Sequence, residues 1–343
     1  MIQLINIETH KLWDEIVQSF SNYDVYYLSG YVRPFQIHGD GSPTLLYYSE
    51  DGLRAIYVFM KRGTAIKGIY DSITPYGYGG VLFEGKTDEE HLKAFYQAYL
   101  QTMQNEHIVD NFVRYHPVLA NAIPMKSIST VIDLGKTVAI DLSSPELIWE
   151  NITSKNRTHI RKAEKNGVEI HHSHSWEDLL RFIPIYNATM QKDNAEEYYY
   201  FEEAFYKSIY EDLKEHFELF YATYNEKIIA ASIMLFANGN MHYHLSGSVL
   251  EYRNLDPTNL LLYQAALWGS QQGFKTLHLG GGVGSGEDNL YKFKAAFNRN
   301  SDYQFSIGKE IFDDQKYAEL VALRQTNDPD FNPESQYFPL YRS

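Results

Sequence analysis

Apolar and polar positions fall into a pattern that occurs twice along the chain. In the first third, Thr44–Ser49, Arg54–Lys61 and Ile69–Ile73 have the aromatic and β-branched character of strands, and the turn-rich Pro75-Tyr-Gly-Tyr-Gly-Gly80 follows them. Leu92, Phe95, Tyr96, Tyr99, Leu100 and Met103 form one stripe, which predicts an amphipathic helix over Asp88–Asn105 ahead of a strand at Ile108–Tyr115. The last half repeats this order, with strands at Phe217–Tyr224, Lys227–Ala237 and Met241–Ser246, a helix over Asn259–Gly273 and a strand at Thr276–Leu279. Both halves read β-β-β-α-β, as two copies of one α/β (α+β) fold without obvious sequence identity would.

Between the halves, strand-like Val138–Leu142 runs into Ser143, Ser144 and Pro145, and a domain boundary is expected near Ile132–Ser143. The division is then 1–135 and 136–312, with the tail 313–343 returning to the first domain. Ser143 with Glu146 offers a capping box, and Ser144 before Pro145 an alternative helix start one residue later. Gly167 stops the next helical run. Ser175 with Asp178 opens another, with a kink expected at Pro184.

Charge and composition narrow the class. A net charge of −14 argues against broad nucleic-acid binding, and against DNA in particular, which relies on many cations neutralising phosphates. No run reaches the length of a membrane span, and Met1–Phe20 carries Glu8, Asp14 and Glu15 where a signal peptide is apolar. A cytoplasmic protein is expected, with peripheral contact to a membrane surface left open. The absence of cysteine removes disulfides, thiolate metal sites and a cysteine nucleophile.

Candidate chemistry concentrates between Thr276 and Phe297. A strand leads into Gly280, Gly281, Gly282, Gly284 and Gly286, then into Glu287, Asp288 and Leu290-Tyr-Lys-Phe-Lys294-Ala-Ala-Phe297. Glycines after a strand let backbone approach a ligand closely. Leu290, Phe293 and Phe297 recur at helical spacing and anchor the helix, so that Lys294 points elsewhere, as a cation able to stabilise developing negative charge. The spacing fits neither G-x-x-x-x-G-K-[ST] nor G-x-G-x-x-G, and the following Glu287 and Asp288 oppose phosphate; the loop also reads as a plain strand-to-helix turn with Asp288 as N-cap.

Two further segments stand out. Lys155-Asn-Arg-Thr-His-Ile-Arg-Lys-Ala-Glu-Lys165 holds five cations against one acid, with Arg157, Arg161 and Lys165 on one face; it reads either as a solvated helix or as a docking face for phosphates. His242, His244 and Ser246 alternate with Tyr243 and Leu245 and would share one strand face. A His-x-His metal site lacks a further ligand at diagnostic spacing, so no metal is expected.

Taken together, these segments resemble the FemABX-like branch of the GNAT acyltransferase superfamily, the peptidyl transferases of cell-wall cross-bridges and their acyltransferase relatives. The resemblance rests on Pro75–Gly80; Lys155-Asn-Arg-x-x-Ile-Arg-Lys-Ala-x-Lys-x-Gly167; Thr189-Met-Gln-Lys-x-x-Ala-x-x-Tyr-Tyr-Tyr-Phe201; His244-Leu-Ser-Gly-Ser248; Asn259–Leu262; and Leu279–Gly282 through Phe293-Lys294-x-x-Phe297, in the expected order from about residue 25 to 310. It implies two GNAT-like domains, each a mixed, largely antiparallel sheet flanked by helices.

It also implies an N-acyltransferase that moves an activated acyl or aminoacyl group to an amine of a cell-envelope precursor, nucleotide- or lipid-linked, in peptidoglycan or surface polysaccharide. By resemblance Lys294, held by Phe293, stabilises the oxyanion. His244 or Ser246 orients the amine or relays its proton, and Arg157, Arg161 and Lys192 hold phosphates. Tyr76, Tyr78, Tyr199, Gly281 and Gly282 line the substrate.

The expected donor is aminoacyl-tRNA or acyl-CoA, with no tightly bound cofactor. Relatives often carry Arg where this chain has Lys192. Acetyl-CoA enzymes of the superfamily carry [RQ]-x-x-G-x-[GA] where this chain reads Tyr252-Arg-Asn-Leu-Asp-Pro-Thr-Asn259. The alternatives are an acyl-CoA-dependent N-acetyltransferase acting on an amino sugar, and a non-catalytic nucleotide-sugar-binding module.

Overall fold

The computed structural model describes residues 2–343. In chain order its first elements are β1 (Ile2–Asn6), α1 (His10–Gln18), α2 (Ser29–His38), β2 (Ser42–Glu50), β3 (Leu53–Gly63), β4 (Tyr70–Ile73) and β5 (Leu82–Gly85). Then come α3 (Glu89–Asn105), β6 (Ile108–Arg114), α4 (Ala122–Met125), β7 (Val131–Asp141), α5 (Pro145–Asn151), α6 (Ser154–Lys165), β8 (Glu169–Ser173) and α7 (Trp176–Lys192). The rest are α8 (Glu203–Ser208), β9 (Phe217–Tyr224), β10 (Lys227–Ala237), β11 (Asn240–Ser248), α9 (Pro257–Gln271), β12 (Thr276–Gly280), α10 (Asn289–Ala295), β13 (Tyr303–Ile311) and α11 (Asp314–Asn327).

The chain divides into two compact units, one of residues 1–134 with 304–343 and one of residues 135–303. Their sheets match strand for strand. In the first, the order is β1-β2-β3-β4-β6-β13, antiparallel except for the parallel pair β4 and β6, with β5 also on β3. In the second it is β8-β9-β10-β11-β12-β7, antiparallel except for the parallel pair β11 and β12. A parallel pair needs a crossover, and α3 and α9 supply it.

Residues 304–312, expected with the second domain, lie mostly in β13, which pairs with β6 of the first. The tail beyond them packs within that unit as well. The Tyr341 hydroxyl lies 2.6 Å from Asp110 Oδ2 and 3.0 Å from Asp71 Oδ2, and Arg342 Nε bonds Asp71.

Burial explains which segments became which strands. The central strands β3 and β10 are covered on both faces and carry near-continuous apolar runs, whereas the terminal strands β1 and β8 alternate or are largely exposed. In the second unit α9 lies over the sheet and buries Leu260, Leu261, Leu262, Ala265 and Ala266. Gly269 lets it come close, since a Cβ there would meet Leu142 Cδ1 at 2.9 Å.

Caps set the helix starts. Ser144 accepts from Leu147 N at 3.2 Å with Pro145 in the first turn, so the later of the two candidate starts is the one used. Ser175 caps α7, which runs on through Pro184 to Lys192.

Candidate active site

Lys294 sits in the second turn of α10, and its burial follows from how that helix is seated. Asp288 caps the helix, accepting from Tyr291 N at 2.8 Å with Oδ1, while its Oδ2 accepts from Val283 N at 3.3 Å and folds the glycine loop back on the helix start. Phe297 is fully buried and takes Phe293 edge-on at 5.5 Å. With the helix fixed on that side, the Lys294 side chain turns inward: the residue is only 8% exposed, and Nζ donates to Gly281 O at 2.7 Å. Among the described residues this is its one hydrogen bond. Burial pushes the ammonium pKa down to about 8, and the Asp288 charge works in the opposite direction.

The glycines hold this arrangement open. Gly280 and Gly284 have positive φ, of 78° and 60°. A Cβ on Gly282 would lie 2.2 Å from Gly286 O and 2.3 Å from Asp288 Oδ1, so only hydrogen fits between loop and cap. Gly282→Ala is therefore expected to push the loop off Asp288 and cut turnover by roughly tenfold or more, since small misplacements of reacting groups are costly. Steady-state rates measured beside a melting curve check this; an active Gly282→Ala enzyme would mean the loop adapts without harm.

The cationic helix α6 meets the far end of α10. Its cap residue Thr153 donates its amide to Ala296 O at 3.0 Å, and Asn300 Nδ2 donates to Asn151 Oδ1 at 2.7 Å. The inner side of α6 is narrow, made by Asn156, Ile160 and Ala163, with Asn259 Nδ2 donating to Asn156 Oδ1 at 2.7 Å.

On the outer side the two arginines share Trp149. The Arg157 guanidinium lies 5.9 Å and that of Arg161 5.1 Å from its ring centre, and Arg157 also donates to Trp149 O at 3.2 Å. Trp149 had no signal in the sequence because it belongs to the preceding helix. Lys192, at the end of α7, pairs with Asp193 at 3.0 Å.

The face expected on β11 is not a simple alternation. The register against β10 slips between Ile233, opposite Leu245, and Met234, opposite Tyr243, leaving His244 as the extra residue of a bulge. Ser232 donates to Ser246 Oγ at 2.8 Å, and both serines lie near enough to the Tyr243 hydroxyl to work against the rise that burial gives its pKa, so Tyr243 does not point away from Ser246 as strict alternation requires. Ser232 lies directly opposite Ser246 in the register and was not legible as a polar partner.

His242 is buried and meets His278 of β12 edge-on at 5.7 Å. Desolvation, and then the neighbouring His242, push the His244 pKa down to about 3. Tyr76 and Tyr78 lie in the first unit. Tyr76 stacks on Phe35 at 5.6 Å and Tyr78 packs edge-on against Tyr26 and Phe305, both at 5.7 Å. Tyr199 is half-buried in a short turn after α7, edge-on to Tyr198 at 5.4 Å.

Comparison with known families shows what the second unit is similar to. Residues 153–294, from the cap of α6 to Lys294, match the acetyltransferase (GNAT) domain family. That stretch lies wholly within the second unit, which is thus the part of the chain similar to a GNAT domain. The whole fold is similar to that of FemX, with a TM-score of 0.68 at 15% identity over 93% of this chain and 99% of that one. It is also similar to the C-terminal domain of a putative lysylphosphatidylglycerol synthetase from Agrobacterium fabrum, with a TM-score of 0.58 at 14% identity over 89% and 92%.

L-PGS from Bacillus licheniformis gives a TM-score of 0.51 at 13% identity over 86% and 91%. Curated proteins give no match. The FemX-like fold and the GNAT domain agree with the motif resemblance, and no helix among the described residues is long and apolar enough to cross a membrane.

Proposed function

We propose that this protein is an N-acyltransferase that passes an activated acyl or aminoacyl group to an amine of a cell-envelope precursor. The observation that carries the reading is the buried ammonium of Lys294, held by a capped helix against a glycine loop at the end of the GNAT domain. Attack of an amine on a carbonyl builds negative charge on oxygen. A preorganised cation in a poorly solvated place stabilises that charge without reorganising at the moment of reaction.

One Lys294 N–H is taken by Gly281 O, and the others remain for the oxyanion. Gly281 and Gly282 would flank the carbonyl, and Phe293 keeps α10 seated. His244, neutral at pH 7 and reluctant to take a proton, suits orienting the amine better than relaying its proton; Ser246, which accepts from Ser232 at 2.8 Å, is the better acceptor partner. Arg157 and Arg161 on α6 would hold phosphates of the donor or of a nucleotide-linked acceptor, with Lys192 as a point-charge contact.

For the donor we favour an aminoacyl ester, as on aminoacyl-tRNA, over acyl-CoA. A helix N-terminus attracts anions. Here the residue before α9 is Asp256, whose carboxylate meets Lys162 at 2.9 Å and His159 at 3.1 Å. A pyrophosphate at that place would face an acid already tied to α6. The likeness to a putative lysylphosphatidylglycerol synthetase and to FemX fits envelope chemistry.

Labelled acetyl-CoA is expected not to bind at micromolar concentrations, whereas the protein is expected to protect aminoacyl-tRNA from hydrolysis. Saturable acetyl-CoA binding with turnover onto an amino sugar would replace this reading with the CoA-dependent one. Ligand binding without turnover of either donor would leave a nucleotide-sugar-binding module.

A further inference from the structure

We propose that Asp288 is the positioning residue of this site: its carboxylate closes the glycine loop onto α10 and so fixes where Lys294 presents its ammonium. The inference rests on the reading of Lys294 as the oxyanion donor and deepens it.

Two hydrogen bonds and one space left by a glycine converge on Asp288. Oδ1 holds the helix start through Tyr291 N at 2.8 Å, Oδ2 holds the loop through Val283 N at 3.3 Å, and the absent side chain of Gly282 leaves the space in which Oδ1 sits. Gly281, whose carbonyl accepts the hydrogen bond from Lys294 Nζ, is the residue before Gly282. One carboxylate therefore ties together the loop that carries the acceptor of Lys294 and the helix that carries Lys294. An N-cap alone needs only the first of these bonds, so the second marks a role in placing the loop.

The same carboxylate is the charge that acts on Lys294. It opposes the desolvation of the ammonium and is itself held low by the amides it accepts from, of which Tyr291 N is the foremost. Among the described residues no other group does this from the elements packed around α10. Lys136 of β7, whose carbonyl would lie 3.2 Å from a Cβ on Gly281, is paired with Asp302 at 2.7 Å; Glu287 is exposed; Thr153 of α6 contributes an amide. The protonated amine is the form that stabilises an oxyanion. Without the carboxylate it should persist only to lower pH, so the alkaline limb of activity moves down.

The test uses Asp288→Asn, which keeps a good N-cap while removing the charge, and Asp288→Ala, which removes both. Lysine labelled with ¹³C at Cε, with the Lys294 signal assigned by its loss in Lys294→Arg, is titrated by NMR in the full-length protein without any substrate. In Asp288→Asn the Lys294 midpoint is expected to fall by about half a pH unit or more, with the melting temperature near that of the wild type. In Asp288→Ala, kcat is expected to fall more than KM changes.

A Lys294 midpoint that does not move in Asp288→Asn overturns the proposal, whatever the rates do. A moved midpoint in a protein whose Lys294→Ala variant is fully active supports the coupling and sinks instead the role given to Lys294.

Discussion

Lys294→Ala is expected to lower turnover by roughly 10²- to 10³-fold, the loss that follows removal of one preorganised oxyanion donor, and by no less than about tenfold. Folding should survive. The methylenes of Lys294 leave a small space beside Gly281, while Asp288 and the Phe293 and Phe297 pair still seat α10. Removing the ammonium also frees Gly281 O, which costs far less in stability than the reaction loses in rate. Single-turnover rates with a competent donor, paired with calorimetric melts, separate the two effects, and an unchanged rate constant would remove Lys294 from the chemistry. The wild-type rate is expected to decline as pH rises through about 8, where the buried ammonium deprotonates.

The second large effect concerns stability and lies in the first unit. Asp71 and Asp110 are both fully buried. Asp71 is matched by Arg62 Nε at 2.6 Å and by Arg342 Nε, whereas Asp110 has the Tyr341 hydroxyl at 2.6 Å. That hydroxyl also lies 3.0 Å from Asp71 and has one proton to give, so a proton on Asp110 completes the set. Burial, with the charge of Asp71 added, pushes the Asp110 pKa up to about 7 from an ordinary 3.8.

The sign follows from linkage. The folded protein binds this proton more tightly than the unfolded chain, so its contribution is fully present below about pH 4 and is lost as pH rises to about 7. The full span is on the order of 4 kcal/mol at 1.36 kcal/mol per pH unit. Asp110→Asn mimics the protonated acid. It is expected to match the wild type near pH 4 and to exceed it by a few kcal/mol at pH 8, as read from urea unfolding at both values. Parallel curves for the two proteins across that range would contradict the assignment.

Much of the architecture is legible because it is local. β9 and β10 coincide with the apolar runs that predict them, and Ser175 and Asp288 cap helices where their spacing places them. What escapes is decided by distant partners. β8 contains His171 and His172, which are exposed and form a strand only because they lie over Tyr221 and Phe220 of β9 at 5.3 and 5.5 Å. β13 carries Gly308 and Lys309 and is a strand because β6 stands beside it.

The site divides in the same way. A cation on a helix after a glycine cluster is visible in the residues, but its burial depends on the loop returning to Asp288. A one-residue bulge cannot be inferred from alternation, and it changes which β11 side chains share a face. The ion pairs of Asp256 with Lys162 and His159 join residues about a hundred positions apart, and spacing alone gives no sign of them.

The matching sheets differ in how their outermost strands are supplied. β13, which finishes the first sheet beside β6, comes from the chain beyond the second unit, while everything from β7 to β12 is continuous. During synthesis the later half can therefore close its sheet while the earlier half still presents a bare strand edge, the kind of surface that recruits wrong partners. Emergence of β13, rather than of its own first residues, is what lets the amino-terminal half finish folding.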